Sequence, residues 1–217
     1  MRVLMVAPPG AGKGTQGAVI AAHFDIPHIA TGDLLRENVA RRTELGRAVR
    51  HHLDRGELVP DEIVLDMVGD ALRAAKKRGS GYVLDGMPRN LAQAKALYLI
   101  AQRLDMTANV ALHLQADDGE LIRRLLARAA LEHRADDTDS VIRRRLALYH
   151  EVTHPIVAWY AERGILVSVD AMRPVERVAQ QILTALEAMS PLLEHVPEHA
   201  RRPLDLTGLG AAFGVED

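Results

Sequence analysis

A lysine wedged between glycines constrains this chain more than any other feature. The run Ala7-Pro8-Pro9-Gly10-Ala11-Gly12-Lys13-Gly14-Thr15 follows the apolar stretch Val3 to Ala7 and precedes a helical pattern through Gln16, Val19, Ile20 and Phe24. Glycines let neighbouring backbone amides converge on one anion. The helix start adds the positive end of its dipole, and the lysine supplies a mobile cation. The widespread pattern GxxxxGK[ST] is missed at Ala7 and Gly14, but the strand-turn-helix context is the one that pattern requires. An ordinary strand-to-helix turn has no need of the lysine.

The rest of the chain alternates in the same way. Short β-branched apolar runs at Val3 to Ala7, Tyr82 to Leu84, Val110 to Leu114 and Ile165 to Val169, with a weaker one at Ile26 to Ile29, lack polar alternation. Strands covered on both faces read like this. Between them lie helical periodicities. One starts at Asp61, a candidate cap after Pro60. Another runs from Val141 to Trp159, where Pro155 predicts a kink, and a third runs from Val175 to Leu186. The alternation predicts an α/β fold, a parallel sheet wrapped by helices. Two stretches fit that core poorly and read as excursions, about 30–60 and about 128–137. From Ser190 onward, prolines and glycines predict an extended tail.

Composition narrows the function. At 217 residues, 48% hydrophobic and 26% charged, the chain can bury a sizeable core and is neither fibre nor disordered. It has no cysteine, which removes disulfides, thiolate zinc sites and cysteine nucleophiles. No apolar run approaches the ~18 residues of a membrane span, and the start enters a strand directly with no signal-peptide pattern. A net charge of -2 argues against a broadly basic nucleic-acid binder. Lysine occurs only at 13, 76, 77 and 95, so the other basic residues are arginines, suited to forked phosphate contacts.

Several motifs in series then resemble the adenylate kinase family. Pro8 to Gln16 resembles the family's phosphate loop GxPGxGKGTQ, with Ala7 as the departure. Ala30-Thr31-Gly32-Asp33-Leu34-Leu35-Arg36 resembles STGDLLR, and Tyr82 to Arg89 with Gln93 resembles LDGFPR…Q, Met87 replacing an aromatic. Arg124-Leu125-Leu126-Ala127-Arg128 resembles RLxxR, and Arg134 to Asp139 with Arg145 resembles RxDDTDxxxxxR. The resemblance covers about residues 1–189 and implies a three-layer fold like that of P-loop nucleoside triphosphate hydrolases, with a five-stranded parallel sheet. The core would take 1–29, 61–127 and 138–189, with a nucleoside-monophosphate-binding insertion at 30–60. A short lid, lengthened by Ala129 to His133, would take 128–137, and 190–217 would be a tail.

The activity the resemblance implies is magnesium-dependent transfer of a phosphoryl group from ATP to AMP, giving two ADP. Gly10, Ala11, Gly12, Lys13, Gly14, Thr15, Arg124, Arg128 and the backbone at Arg173 would hold ATP. Thr31, Gly32, Arg36, Glu57, Leu58, Val59, Gly86, Met87, Pro88, Arg89, Gln93, Arg134 and Arg145 would hold AMP. Lys13, Arg89, Arg128, Arg134 and Arg145 would be catalytic, and Asp85 would hold magnesium through water, with no structural zinc. The acceptor phosphate is already anionic, so the reaction needs charge neutralisation and positioning rather than a base. A cytoplasmic monomer without nucleic-acid or membrane partners is implied.

Other readings stay open. A UMP/CMP kinase would differ at the acceptor base, and a weakly active nucleotide-binding paralogue would fit Ala7, Met87 and Ala129. His150-Glu151-Val152-Thr153-His154 matches HExxH, a zinc-protease pattern. Pro155 follows it at once, and neither Glu162 nor Glu176 offers a convincing third ligand. The His51-His52 pair reads as surface.

Overall fold

The computed structural model describes residues 1–132 and 138–195. Among them, five strands form one sheet in the order β2-β3-β1-β4-β5, all parallel. These are β1 (Arg2–Val6), β2 (His28–Ala30), β3 (Tyr82–Asp85), β4 (Val110–Gln115) and β5 (Leu166–Asp170). The five apolar runs of the sequence therefore become the five strands. Side chains alternate across each strand and feed two cores. Leu4, Val6, Tyr82, Leu84 and Ala111 face one, and Val3, Met5, Val83, Val110 and Leu112 face the other.

Helices cover both faces. Helix α1 (Lys13–Phe24) starts in the glycine-rich turn and buries Ile20 in the second core. Helices α2 (Thr31–Ala40) and α3 (Glu44–Arg55) form the first excursion, seated on the first core through Leu35 and Val49. Helix α4 (Asp61–Lys77) buries Val64, Leu65, Val68 and Leu72 at helical spacing, and α5 (Leu91–Arg103) is capped by Asn90, whose side chain accepts from Gln93 N at 2.7 Å. Asp61 is not the cap of α4 that the sequence suggested. It lies in the first turn, after Pro60, and its carboxylate is engaged elsewhere.

Helix α6 (Asp118–Glu132) continues past Arg128, so the first part of the segment read as a lid excursion is helical. The remainder of that segment, 133–137, lies outside the described residues. Helix α7 (Asp139–Leu148) runs into a π turn, Tyr149–Thr153, and then α8 (Pro155–Glu162). Pro155 interrupts the periodicity as expected, because it has no amide to continue the ladder and fits a helix's first turn. Helix α9 (Val175–His195) extends beyond Ser190, where the sequence predicted an extended tail to begin; 196–217 lie outside the described residues. No helix among the described residues is long and apolar enough to cross a membrane.

Candidate active site

The C-terminal ends of β1 and β3 open into a cleft of about 640 Å³. Parallel sheets expose this end, and the order reverses beside β1, so a ligand crevice forms there. Val6 ends β1 and the chain then turns through Gly10 and Gly12, both at φ near +90° (87° and 89°). A Cβ on Gly10 would come 2.9 Å from Leu125 Cγ and 3.0 Å from the Leu121 carbonyl oxygen, so α6 packs directly on the turn. Ala7 is buried with the second core, and its carbonyl, like that of Pro8, accepts from Lys13 Nζ at 3.0 Å. The departure at position 7 therefore sits in apolar packing and leaves the lysine anchored.

Cations from five separate segments line this cleft. Lys13 comes from α1, Arg36 from α2, Arg89 from the loop after β3, Arg124 and Arg128 from α6, and Arg145 from α7. Burial pushes the Lys13 ammonium below its ordinary pKa. Asp85 opposes that shift, while Arg89 and Arg128 add to it. Burial likewise lowers Arg89, with Asp85 opposing and Arg145 and Arg36 adding. Like charges gathered in a desolvated cleft are unfavourable alone and favourable around a polyanion. Arg124 is held by Glu120 at 2.7 Å and by the Ala171 carbonyl at 2.9 Å. Arg123 and Arg124 in turn draw the Glu120 carboxyl down to about 2. Arg36 pairs with Asp33. At the mouth, Glu57 of the α2–α3 excursion meets Arg144 of α7 at 2.9 Å.

Beside the cleft lies a narrow recess walled by Thr31, Leu35, Leu53, Leu58, Val59, Val64, Gly86, Arg89 and Gln93. Thr31 and Gln93 are 1% and 2% exposed, so their polar atoms need partners. Thr31 Oγ1 donates to the Asp85 carbonyl at 3.1 Å. Gln93 Oε1 accepts from Arg89 N, and Gln93 Nε2 donates to Asp61 Oδ1, both at 2.7 Å. Gly86 has φ 88°, and a Cβ there would strike the Thr31 hydroxyl, which ties this glycine to the recess. Arg89 is fixed twice more. Its Nε donates to the Gly86 carbonyl at 2.7 Å, and its own carbonyl accepts from Thr153 Oγ1 at 2.7 Å.

Most sequence-derived site residues thus converge. Gly10, Gly12, Lys13, Gly14, Thr15, Gly32, Arg36, Glu57, Leu58, Asp85, Gly86, Pro88, Arg89, Arg124, Arg128 and Arg145 border the cleft, and Thr31, Val59 and Gln93 border the recess. Three do not. Ala11 is buried in the second core, and Met87 is 1% exposed in the first core, so its side chain supports the wall from behind. Arg173 lies outside the lining with its side chain on Asp170 at 3.4 Å. Arg134 falls outside the described residues. Asp61, Leu53, Tyr149 and Thr153 were missed. Leu53 carried a usable signal in its apolar position on the excursion, whereas Asp61 and Thr153 act through partners far along the chain.

The HExxH match does not build a metal centre. Residues 150–153 belong to the π turn, His150 Nε2 pairs with Asp118 at 2.9 Å, and the His154 ring lies 6.2 Å from that of His113. No group of three metal-ligating side chains occurs among the described residues.

A glycine-rich loop on the first strand of a parallel sheet, facing a cleft of half-buried cations, defines a P-loop nucleotide-binding protein. A family model described as Adenylate kinase matches residues 5–165. The chain is 47% identical to an adenylate kinase of Thermobifida fusca, covering 87% of this chain and 99% of that one. It is 45% identical to an adenylate kinase of Kocuria rhizophila, covering 86% and 98%. The chain belongs to the adenylate kinase family of phosphotransferases.

Proposed function

We propose that this protein transfers the terminal phosphoryl group of ATP to AMP, giving two ADP, reversibly. The observation that carries the reading is the gathering of Lys13, Arg36, Arg89, Arg124, Arg128 and Arg145 around one cleft, with a recess of aliphatic and a few polar side chains beside it. Two nucleotides must bring reacting atoms to within ~3–3.5 Å despite mutual repulsion. Their phosphates would replace the present internal partners of these cations and relieve the unfavourable burial of Lys13 and Arg89.

In this reading the glycine turn and Lys13 cradle the donor phosphates, with Gly14 and Thr15 at the helix start. Arg124 and Arg128 flank the donor, and the backbone near Arg173 lies toward its base. Arg36 and Arg89 hold the acceptor phosphate, and Arg145 bridges the pair, with Arg134 joining it by resemblance. Thr31, Gln93, Leu58 and Val59 hold the acceptor base in the recess. The excursion 30–60 and the segment 128–137 would be the parts that close, excluding water that could otherwise take the phosphoryl group.

Magnesium fits the donor set. Asp85 and Thr15 border the cleft and offer hard oxygen ligands, which suits an ion that keeps several waters. When bound with ATP, the ion supplies further neutralisation of the donor phosphates. A cytoplasmic monomer acting on nucleotides alone, without nucleic-acid or membrane partners, completes the reading.

A coupled assay that follows ADP, run with ATP and AMP, UMP or CMP in parallel, tests it. AMP is expected to be the preferred acceptor. Preference for UMP or CMP would reassign the recess to a pyrimidine, and nucleotide binding without turnover would leave a binding protein.

A further inference from the structure

Gln93 is a buried amide between two neighbours of opposite hydrogen-bonding character. On one side is the Arg89 backbone N–H, which only donates, and on the other the Asp61 carboxylate, which only accepts. The amide therefore has one satisfied orientation, with Oε1 toward Arg89 and Nε2 toward Asp61. Rotating it by half a turn would set its oxygen against the carboxylate and its NH2 against the N–H. Asp61 is itself steadied by Asn90 Nδ2 at 3.5 Å, and Asn90 caps the helix that carries Gln93. Each end of the amide keeps one further hydrogen-bonding valence, so the recess is offered a donor and an acceptor in fixed order.

That order separates two kinds of purine. A 6-aminopurine presents a donor at position 6 beside an acceptor at N1. A 6-oxopurine presents an acceptor at position 6 beside a donor at N1. A freely rotating amide serves both patterns, whereas a locked one serves a single pattern and leaves the other with opposed dipoles. We infer that Asp61 is a specificity-determining positioning residue, which holds the Gln93 amide in the orientation that admits adenine and rejects hypoxanthine or guanine at the acceptor site. This rests on the reading of the recess as the acceptor-base site.

The test is steady-state kinetics with ATP and either AMP or inosine monophosphate, which differ in the base by this reversed edge. It uses the unaltered protein, Asp61→Asn, Gln93→Ala and the double variant. Asp61→Asn keeps the shape but replaces a charged group that only accepts by a neutral amide that can accept or donate, so the Gln93 amide is no longer held to one orientation from that side. The ratio of kcat/KM for AMP over inosine monophosphate is expected to fall by roughly ten- to a hundredfold, the worth of one hydrogen bond to a charged group. The KM for ATP should stay within about twofold. In the double variant the ratio should match that of Gln93→Ala alone, because Asp61 acts only through that amide. An unchanged ratio in Asp61→Asn, or additive losses in the double variant, would overturn the inference while leaving phosphoryl transfer to AMP intact. No transfer to AMP by the unaltered protein would overturn the acceptor-site reading together with the inference. Asp61→Ala provides the second substitution, with circular dichroism to check folding, and the same fall in ratio is expected.

Discussion

The two halves of the cleft are built by different means. The glycine turn after β1 gets its shape from the backbone, with two left-handed glycines, one helix start and a lysine that donates to the turn's Ala7 and Pro8 carbonyls. The recess and Arg89 get theirs from side chains. Thr153 holds the Arg89 carbonyl, Gln93 holds its amide, Asp61 holds Gln93, and Thr31 holds the end of β3. A backbone-built site tolerates side-chain change and fails when a Cβ is added, and a network-built site fails one hydrogen bond at a time. The chemistry suits the division. Phosphates need many amides and charge, and a base needs a few polar groups in fixed order.

Substitutions can break or sharpen this contrast. The largest effect is expected at the principal cation of each half. Lys13→Ala or Arg89→Ala should lower kcat by about 10²–10³ with the fold retained, as losses of comparable electrostatic contacts do. Near-normal turnover in Arg89→Ala would remove it from the site. Next comes Gly10→Ala, whose methyl would press on Leu125 and the Leu121 carbonyl at a left-handed φ. Destabilisation of about 1–3 kcal/mol in urea unfolding, with a raised KM for ATP, is expected there. Gly14→Ala meets nothing within 4 Å and should be tolerated in stability.

Thr153→Val should act on the other half. It leaves the Arg89 carbonyl without its 2.7 Å partner, at about 1–3 kcal/mol. It should raise the KM for AMP more than that for ATP; equal rises would mean the π turn serves both halves. The smallest effect concerns pH. Burial, with His154 adding, holds His113 down to about 4, and its Nε2 lies 3.2 Å from the Tyr149 hydroxyl. The folded value is below the unfolded one, so this histidine's contribution is present above about pH 6.5. It is lost as pH falls toward about 4. Urea midpoints at pH 7 and pH 5 should converge in His113→Gln relative to the unaltered protein.

The same contrast explains what could be read in the sequence. The glycine turn and the strands were legible because their requirements are local, a run of neighbours that must be glycine, lysine or apolar. Arg36, Arg89, Arg124, Arg128 and Arg145 were legible as a set through the motifs they share with a family. Asp61 looked like a helix cap because that is what an aspartate after proline usually is, and its partner Gln93 lies 32 positions away. Thr153 was hidden inside an HExxH match, and its partner Arg89 is 64 positions away. Met87 entered with the motif it shares with the family, and past the end of β3 its side chain packs into the first core behind the cleft wall.

The account stands on clustered, half-buried cations holding two nucleotides so that phosphate passes between them and not to water. Phosphorus NMR of a mixture of magnesium, ATP and AMP with the protein tests this directly. Signals of ATP should give way to those of ADP, approaching equilibrium with no inorganic phosphate beyond that of a protein-free control. Accumulating inorganic phosphate without ADP forming from AMP, or an unchanged spectrum, would contradict it.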